Sequence, residues 1–298
     1  MTAQGLTPSS AQVFHPAGMK NKTARMLFII FLQILMTLIL VTFLVPTLWM
    51  ISSSLKASTE VFAHPIVWIP AAPQWSNYAK IFEKLPFDKF AINTLIMTTM
   101  AVLGTVFSAT VVGYSFARMK WPGKNIFFAL MISTMLLPDS VTLIPRFILF
   151  RWLGWIGTLL PLIVPFWFGA SAFYTFLVLQ FFRGIPIELE EAALIDGANR
   201  FQILGLVLLP LSKPVLATIT IFSIIQHYNE FLTPLIYLNK MDSWVLAIGV
   251  RALNDSNAAN WEIVFSAATL MLIPVLLLFI FAQRYFVQGI AMTGFGGR

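Results

Sequence analysis

Long apolar runs separated by short polar stretches make up most of this chain. Each run is long enough for a helix to cross the hydrocarbon core of a bilayer, which takes about 20 apolar residues. The runs cover residues 27–51, 91–117, 126–144, 159–182, 215–238 and 263–285. This pattern predicts an all-α integral membrane protein with six transmembrane helices.

The composition supports this prediction. Hydrophobic residues make up 58% of the chain, which is more than a soluble domain of 298 residues requires. Six spans leave little room for a separate soluble domain. The chain has no cysteine, which excludes disulfides, thiolate metal sites and a cysteine nucleophile.

Charge and tryptophan placement predict the orientation of the spans. The first run follows a polar segment and is too long for the apolar core of a cleavable signal peptide, so we predict a retained first span. Lys20, Lys22 and Arg25 lie immediately before it and favour a cytoplasmic N-terminus. With six spans the C-terminus is also cytoplasmic, and most tryptophans lie near the outer ends of the spans. We expect a bacterial-type cytoplasmic membrane.

The most charged stretch lies between the fourth and fifth runs, on the predicted cytoplasmic side. Its sequence, ELEEAALID at 188–196, is unusual in a chain with only 10% charged residues. Pro186 suits the first turn of a helix, the dipole of that helix stabilises the acids, and Gly197 can end it in a left-handed conformation. We predict a second helix over 199–209 that stops at Pro210. The loop is either a solvated connector or a docking surface for another protein.

The spacing in this stretch resembles the EAA loop of membrane subunits in binding-protein-dependent ABC importers. The resemblance lies in Glu-Ala-Ala at 191–193, glycine at 197 and Leu-Pro at 209–210. Val207 stands where the family pattern usually has isoleucine, a difference of one methylene.

Further segments resemble the sugar permeases among these subunits. They are YSFARMKWPGK at 114–124, FFRGIP at 181–186, YNEFL at 228–232 and QRYFVQG at 283–289. Together they resemble the carbohydrate-type family, in particular the second permease subunit of maltose- and glycerol-phosphate-type systems. Residues 1–24 lie outside the resemblance, and 294–298 departs from the usual tail. The resemblance implies the six-helix fold of type I importers.

The resemblance also implies a division of labour. A second permease subunit would form a heterodimer with this chain, two ATPase subunits would supply energy, and an extracytoplasmic solute-binding protein would deliver the sugar. ATP and Mg would be bound by the ATPase, while this chain would bind no cofactor or metal and catalyse no reaction. The sequence agrees, because its single Gly-Lys pair, Gly123-Lys124, has Arg118 in place of the first glycine of a phosphate-binding loop and Asn125 after it.

In the family, the EAA loop inserts into a cleft on an ATPase subunit, which here implies the segment 186–210. Glu191 and Asp196 would pair with basic groups of the ATPase, while the small residues allow close approach. The coupling residues that the resemblance implies are Glu188, Glu190, Glu191, Ala192, Ala193, Asp196, Gly197, Leu209 and Pro210.

We predict four segments along the chain. They are a polar cytoplasmic tail (1–24), a first span with an external loop (25–90), an importer transmembrane domain (91–290) and a C-terminal tail (291–298). Small residues in the second span, Gly104 with Ser108 and Ala109 with Gly113, predict a close approach of another helix. The loop over 52–90 is long enough for a short surface helix.

Polar side chains of the fifth run are candidates for the translocation path, because such groups are costly in a membrane and function is their default explanation. Four of them recur at spacings of three and four, which predicts a shared helix face where amides and carboxylates replace water at sugar hydroxyls. The candidates are Gln226, Tyr228, Asn229, Glu230 and Thr233. An equally weighted alternative is that Asn229 and Glu230 bond to neighbouring helices.

Alternative functions differ in the residues that they require. An ABC permease for a non-sugar solute keeps the same fold and coupling loop. A proton-coupled secondary carrier would use Asp139, His227 and Glu230 as a relay and would need no ATPase. An intramembrane enzyme lacks support, because no H-E-x-x-H or G-x-S-x-G motif occurs. A nucleic-acid interface is not indicated, since the net charge of +7 forms no basic stripe.

Overall fold

The structure is a computed structural model that describes residues 22–169, 171–256 and 260–294. Most of the predicted N-terminal tail and the last four residues of the predicted C-terminal tail lie outside the described residues. Helices are the regular structure of the described part. The α-helices there are α1 (Lys22–Ser54), α2 (Ser76–Lys84), α3 (Phe87–Arg118), α4 (Lys124–Thr134), α5 (Asp139–Trp152), α6 (Leu160–Trp167), α7 (Ala172–Gly184), α8 (Glu188–Ile195), α9 (Arg200–Gln202), α10 (Leu209–Leu211), α11 (Lys213–Asn229), α12 (Leu232–Tyr237), α13 (Leu246–Ser256) and α14 (Trp261–Gly294). A π-helix covers Ile203–Leu208, and 3₁₀ turns cover Ser58–Glu60 and Met241–Ser243.

The described helices account for the predicted apolar runs. Those long and apolar enough to cross a membrane singly are Arg25–Ser54, Phe87–Arg118, Leu160–Gly184 and Trp261–Gln283. Two bent pairs supply up to two more spans: α4 with α5 at 105°, and Arg200–Leu211 with α11 at 80°. Counting each bent pair as one span gives six candidate spans, but the second pair begins in the predicted coupling loop, and α11 covers only the first part of the fifth predicted run.

The third run is not the continuous helix that the apolar pattern predicted. α4 ends at Thr134, and α5 begins at Asp139 in a different direction. Pro138 lies four residues after Thr134, and a proline ring clashes with the carbonyl four residues earlier and donates no N–H. α4 therefore ends at Thr134, because Pro138 cannot continue the helix.

The fifth run is interrupted in the same way. α11 ends at Asn229, and Glu230 has an extended backbone with a ψ of 127° before α12 begins at Leu232. Pro234 lies four residues after Glu230, so its ring opposes a helical carbonyl at that position. The predicted span 215–238 is thus a 17-residue helix followed by a short one.

α3 lies at the centre of the described bundle and packs against α6, α7, α11 and α13. A Cβ on Gly104 would lie 2.5 Å from Cδ1 of Trp167 in α6, and a Cβ on Gly113 would lie 3.1 Å from Cγ1 of Val178 in α7. Ser108 donates its hydroxyl to a main-chain carbonyl of α6 at 2.7 Å. These contacts confirm the predicted close approach of helices at the small residues.

The segment between α1 and α3 covers one end of the bundle, which we call the α2 end. The side-chain amide of Asn77 in α2 donates to the carbonyls of Ser54 at 3.0 Å and Lys56 at 2.9 Å. Ile81 of α2 is fully buried against Phe87 and its neighbours at the start of α3. α2 is the short helix that the sequence predicted in this loop.

α1 lies at the periphery and packs along α14. No residue in its most apolar stretch is buried within the chain, so that surface is available to lipid or to another subunit. Ser266 of α14 donates its hydroxyl to the carbonyl of Ser54 at 2.9 Å, which places the end of α1 beside the start of α14. The two helices therefore run antiparallel, and the start of α1 and the end of α14 point away from the α2 end.

Candidate coupling loop and translocation path

α8 begins at Glu188, and its first turn carries the three glutamates. The first N–H groups of a helix have no partner within it, so negative charge is stabilised there. The predicted place of Pro186 in this first turn is wrong, because Pro186 precedes the N-cap residue Ile187. Its ring instead favours the extended conformation of Ile185, whose ψ is 133°.

Gly197 ends α8 in the predicted left-handed conformation, with a φ of +84°. Its N–H donates to the carbonyl of Leu194 at 3.1 Å, and the N–H of Ala198 donates to the carbonyl of Ala193 at 2.9 Å. These two bonds form a Schellman motif, which satisfies the last carbonyls of the helix. A Cβ on Gly197 would meet nothing within 4 Å, so the backbone conformation, not space, requires glycine.

The second predicted helix follows this turn. Oδ1 of Asn199 accepts from the N–H of Gln202 at 3.0 Å, and the N–H of Asn199 donates to Oε1 of Gln202 at 2.8 Å, which is a capping box. α9, the π-helix and α10 then follow without a break. The predicted stop at Pro210 is wrong, because Pro210 lies in the first turn of α10, where a missing N–H is tolerated, and the helix ends at Leu211.

Most of the predicted coupling residues are exposed on this loop. The exposed ones are Glu188, Glu191, Ala192, Asp196, Gly197 and Pro210, while Ala193 and Leu209 are partly buried. Glu190 differs, because its side chain is only 1% exposed and its Oε1 lies 2.7 Å from Nε of Arg118. A carboxylate held in that pair does not reach a partner protein, which corrects its prediction as part of the docking surface.

Sequence analysis missed large apolar side chains on the same loop. Ile195 is 87% exposed and Phe201 is 85% exposed, and Leu206 is also exposed. Exposed apolar side chains beside small and acidic residues are typical of a surface that contacts another protein. The signal was present in the sequence, since these residues are apolar yet lie outside every predicted span.

The four residues predicted to share one helix face, Gln226, Asn229, Glu230 and Thr233, do not do so, because α11 ends at Asn229. Gln226 and Asn229 lie one turn apart near that end, and both are exposed. Glu230 lies in the break, where its Oε1 accepts the N–H of Thr233 at 3.2 Å. Glu230 therefore caps the start of α12, a role that the sequence analysis did not foresee.

Two neighbours of these residues hold helices together. Tyr228 is buried, and its hydroxyl donates to the carbonyl of Met271 in α14 at 2.8 Å. His227 is buried against Phe166, with ring centroids 4.3 Å apart. The exposed amide of Gln226 accepts from the hydroxyl of Tyr174 in α7 at 2.9 Å. Gln226 and Asn229 are thus the candidates that remain exposed, whereas Tyr228 is buried and bonded to α14.

The described residues contain no group of three or more His, Cys, Asp or Glu side chains that could hold a metal ion. The chemistry that this part of the chain offers is therefore hydrogen bonding by amides and hydroxyls within the bundle, and charge and apolar surface on the loop from α8 to α10.

Comparison with known proteins identifies the family. The model described as "Binding-protein-dependent transport system inner membrane component" matches residues 109–292. The arabinooligosaccharides transport system permease protein AraQ of Halalkalibacterium halodurans is 32% identical over 256 residues, which cover 85% of this chain and 91% of the relative. The sulfoquinovosyl glycerol transport system permease protein SmoH of Agrobacterium fabrum is 28% identical over 261 residues, which cover 88% and 92%.

A solved structure shows the same fold. One chain of a bacterial ABC transporter involved in the import of the acidic polysaccharide alginate superposes with a TM-score of 0.78 at 24% identity, covering 90% of this chain and 99% of that one. This confirms the predicted all-α fold of an ABC importer permease. Because the family match spans more than half of the residues, this chain belongs to the inner membrane components of binding-protein-dependent transport systems.

Proposed function

We propose that this chain is a transmembrane permease subunit of an ATP-driven importer for sugars or sugar derivatives, coupled to a cytoplasmic ATPase through the loop 186–210. The main support for this proposal is the exposed surface of the loop. It presents exposed acids, small residues and a Schellman turn at Gly197 at the spacing of the EAA signature. A partner protein that binds this loop contacts an acidic surface whose backbone is fixed by the turn at Gly197.

The substrates named for the relatives support the sugar class. They are arabinooligosaccharides, sulfoquinovosyl glycerol, diacetylchitobiose and sn-glycerol-3-phosphate. All of these molecules carry two or more hydroxyl groups. The exposed amides of Gln226 and Asn229 suit such substrates, because an amide both donates hydrogen bonds to a hydroxyl and accepts them from it.

A member of this family acts within a larger transport complex. We assign this chain to a heterodimer with a second permease subunit, served by two ATPase subunits that bind ATP and Mg and by an extracytoplasmic solute-binding protein. Exposed apolar side chains on α5, such as Ile144, Ile148 and Trp152, provide surface for the second permease or for lipid.

The relay of a proton-coupled carrier finds no support in the described side chains. Asp139 pairs with Arg146 at 3.2 Å at the start of α5, Glu230 caps α12, and His227 is buried against Phe166. The three groups thus have separate local partners. Together with the family assignment, this favours an ATP-driven importer.

Basic residues support a cytoplasmic location for the end of the bundle that carries α8. Arg118, Lys124, Arg183 and Arg200 all lie at or next to the helix ends there, and cytoplasmic ends of spans carry an excess of such residues. The start of α1 and the end of α14 point to the same end. We therefore assign both termini to the cytoplasm, with the α2 end facing outward.

Replacement of Gly197 by proline tests the coupling role. Gly197 has a φ of +84°, whereas proline is restricted to a φ of about −65°, so the Schellman turn cannot form. We expect Gly197→Pro to insert in the membrane normally and to lose ATPase co-purification in mild detergent by about tenfold. The ATPase activity of the eluate and uptake of a panel of labelled oligosaccharides and sugar phosphates are measured in parallel.

Gly154 offers a matched control at the α2 end of the bundle. It also has a positive φ of +69°, has nothing within 4 Å of a Cβ, and donates its N–H to a carbonyl three residues earlier at 3.1 Å. Gly154→Pro therefore causes the same local damage away from the coupling loop. Equal ATPase recovery with the two variants would overturn the coupling role, and uptake of solutes other than sugars would overturn the substrate class.

A further inference from the structure

Glu190 is the buried side chain of α8. The other residues of this helix are exposed or partly exposed. A helix of eight residues is too short to be stable alone, since isolated helices shorter than about 12 residues are marginal in water. The attachment of α8 to the bundle therefore depends on tertiary contacts, and its most buried contact is made by a charge.

Arg118, the last residue of α3, forms an ion pair with Glu190. Its Nε lies 2.7 Å from Oε1 of Glu190, and the two side chains are 9% and 1% exposed. Among the described residues, no hydrogen-bond donor is well aligned with either carboxylate oxygen, so the attraction is mainly ionic. Arg200 approaches Oε2 only to 3.9 Å and is nearly half exposed. A buried carboxylate without a close opposite charge is very costly, so Glu190 depends on Arg118.

The same guanidinium also binds α7. Nη2 of Arg118 donates to the carbonyl of Phe182 at 2.6 Å and to the carbonyl of Ile185. These carbonyls lie at the C-terminal end of α7, where the last carbonyls lack the N–H four residues on, and the carbonyl of Phe182 also accepts the N–H of Ile185 at 3.2 Å. One planar group with fixed donor directions therefore joins the end of α3, the end of α7 and α8.

An ionic contact of this kind constrains movement differently from apolar packing. Ala193 and Ala198 pack partly against the apolar cluster that contains Phe182 and Ile203, and such contacts are not directional. Separation of Arg118 from Glu190 would instead leave two poorly solvated charges without partners. Because α3 packs against α6, α7 and α11, a displacement of α8 that keeps this pair must displace the centre of the bundle.

We propose that Arg118 and Glu190 are positioning residues of coupling, whose buried ion pair makes α8 and α3 move as one body when an ATPase displaces the loop. The inference rests on the proposed function. It assigns opposite tasks to two adjacent carboxylates, because Glu191 faces outward to the partner and Glu190 faces inward to Arg118.

The absence of native cysteine allows a direct test by spin labelling. Cysteines replace two exposed residues, Leu189 on α8 and Val111 on α3, and the label distance is measured in the assembled complex without nucleotide and with ATP and vanadate. With the native pair we expect one distance in both states. With Glu190→Gln we expect the distance to differ between the states by a few ångströms, the scale of helix shifts in switching transitions.

Two further variants make the result specific. Arg118→Lys keeps the positive charge but loses the planar guanidinium with its several hydrogen-bond donors. We expect the label distance to depend on nucleotide state as it does in Glu190→Gln. Glu83→Gln removes an exposed carboxylate from α2, at the opposite end of the bundle, and we expect the distance to stay constant. The inference is wrong if the label distance in Glu190→Gln is the same with and without nucleotide. A distance that differs from that of the native pair but is equal in the two states indicates only a structural role for Glu190. Failure of the unaltered chain to assemble with an ATPase would instead contradict the proposed function.

Discussion

At the scale of single residues, the local partners of a side chain decide its role more than its chemical type does. Glu190 and Glu191 are neighbours in sequence, yet one is buried against Arg118 and the other is exposed. Glu230 was a candidate for the translocation path as an ionisable group near the membrane, and the structure gives its carboxylate a backbone N–H of α12 as a partner. A carboxylate at a helix start is stabilised there by unpaired N–H groups.

Two substitutions of Glu230 separate capping from a contact with substrate. Glu230→Ala removes the acceptor for the N–H of Thr233, and loss of such a cap costs about 1 kcal/mol of stability. Glu230→Gln keeps an oxygen acceptor but removes the charge. We expect both variants to reduce uptake with the ATPase still bound, and only Glu230→Ala to lower the unfolding temperature in detergent. Unchanged uptake by Glu230→Ala would leave capping as the full role of this residue.

At the scale of elements, prolines and glycines determine where helices end and how closely they approach. Pro138 lies four residues after the end of α4 at Thr134, and Pro234 lies four residues after Glu230, where the helix of the fifth run is broken. Gly104 and Gly113 allow α6 and α7 to contact the backbone of α3. Gly197 provides the left-handed turn that separates α8 from the second half of the coupling loop. These residues act through the backbone. The left-handed turn at Gly197 and the close approaches at Gly104 and Gly113 were predicted from short signals in the sequence, whereas the helix breaks before Pro138 and Pro234 were not, because the apolar runs continue across them.

The contact between α3 and α6 predicts the effect of one methyl group. In Gly104→Ala the new Cβ lies 2.5 Å from Cδ1 of Trp167, closer than carbon atoms approach, so the Trp167 ring or α6 itself must shift. We expect a loss of about 1–3 kcal/mol of stability, the usual cost of overpacking. Thermal unfolding of the detergent-solubilised protein measures it.

Gly184→Ala is the matched control for this prediction. Gly184 ends α7, and a Cβ there meets nothing within 4 Å. The substitution is therefore expected to leave stability unchanged or to raise it slightly, because alanine loses less backbone entropy than glycine on folding. Equal destabilisation by the two substitutions would contradict the close contact, as would full stability of Gly104→Ala.

At the scale of the whole molecule, the described bundle has two chemically different ends. The α2 end carries the long loop with its tryptophans, including Trp68 and Trp75, and the other end carries α8 and a concentration of arginine and lysine. The apolar surface of α1 is not buried by the rest of the chain. A molecule with this distribution is stable only with a bilayer or further subunits around it.

The two ends give a test of orientation. Ile69 near the α2 end is 82% exposed and Ile195 on α8 is 87% exposed, so cysteines at the two positions have similar access to water. We expect a membrane-impermeant maleimide to label Ile69→Cys in intact spheroplasts and to label Ile195→Cys only after permeabilisation. The cysteine-free native chain provides the background. The reverse pattern would invert the proposed topology.

Features that depend on residues close together in the chain could be predicted from the sequence. Apolar runs about 20 residues long predict membrane helices, clustered acids suit the first turn of α8, and the glycine at 197 predicts a left-handed helix end, all without distant partners. The spacing of the coupling loop was equally readable, because its residues are close in the chain.

Contacts between residues far apart in sequence became visible only in the folded bundle. Arg118 and Glu190 are 72 positions apart, and nothing local distinguishes the buried glutamate of α8 from its exposed neighbours. The same holds for Tyr228, whose hydroxyl binds a carbonyl of α14. Burial and pairing depend on which helices pack together, and a buried charge is tolerated only where another element brings the opposite charge to it.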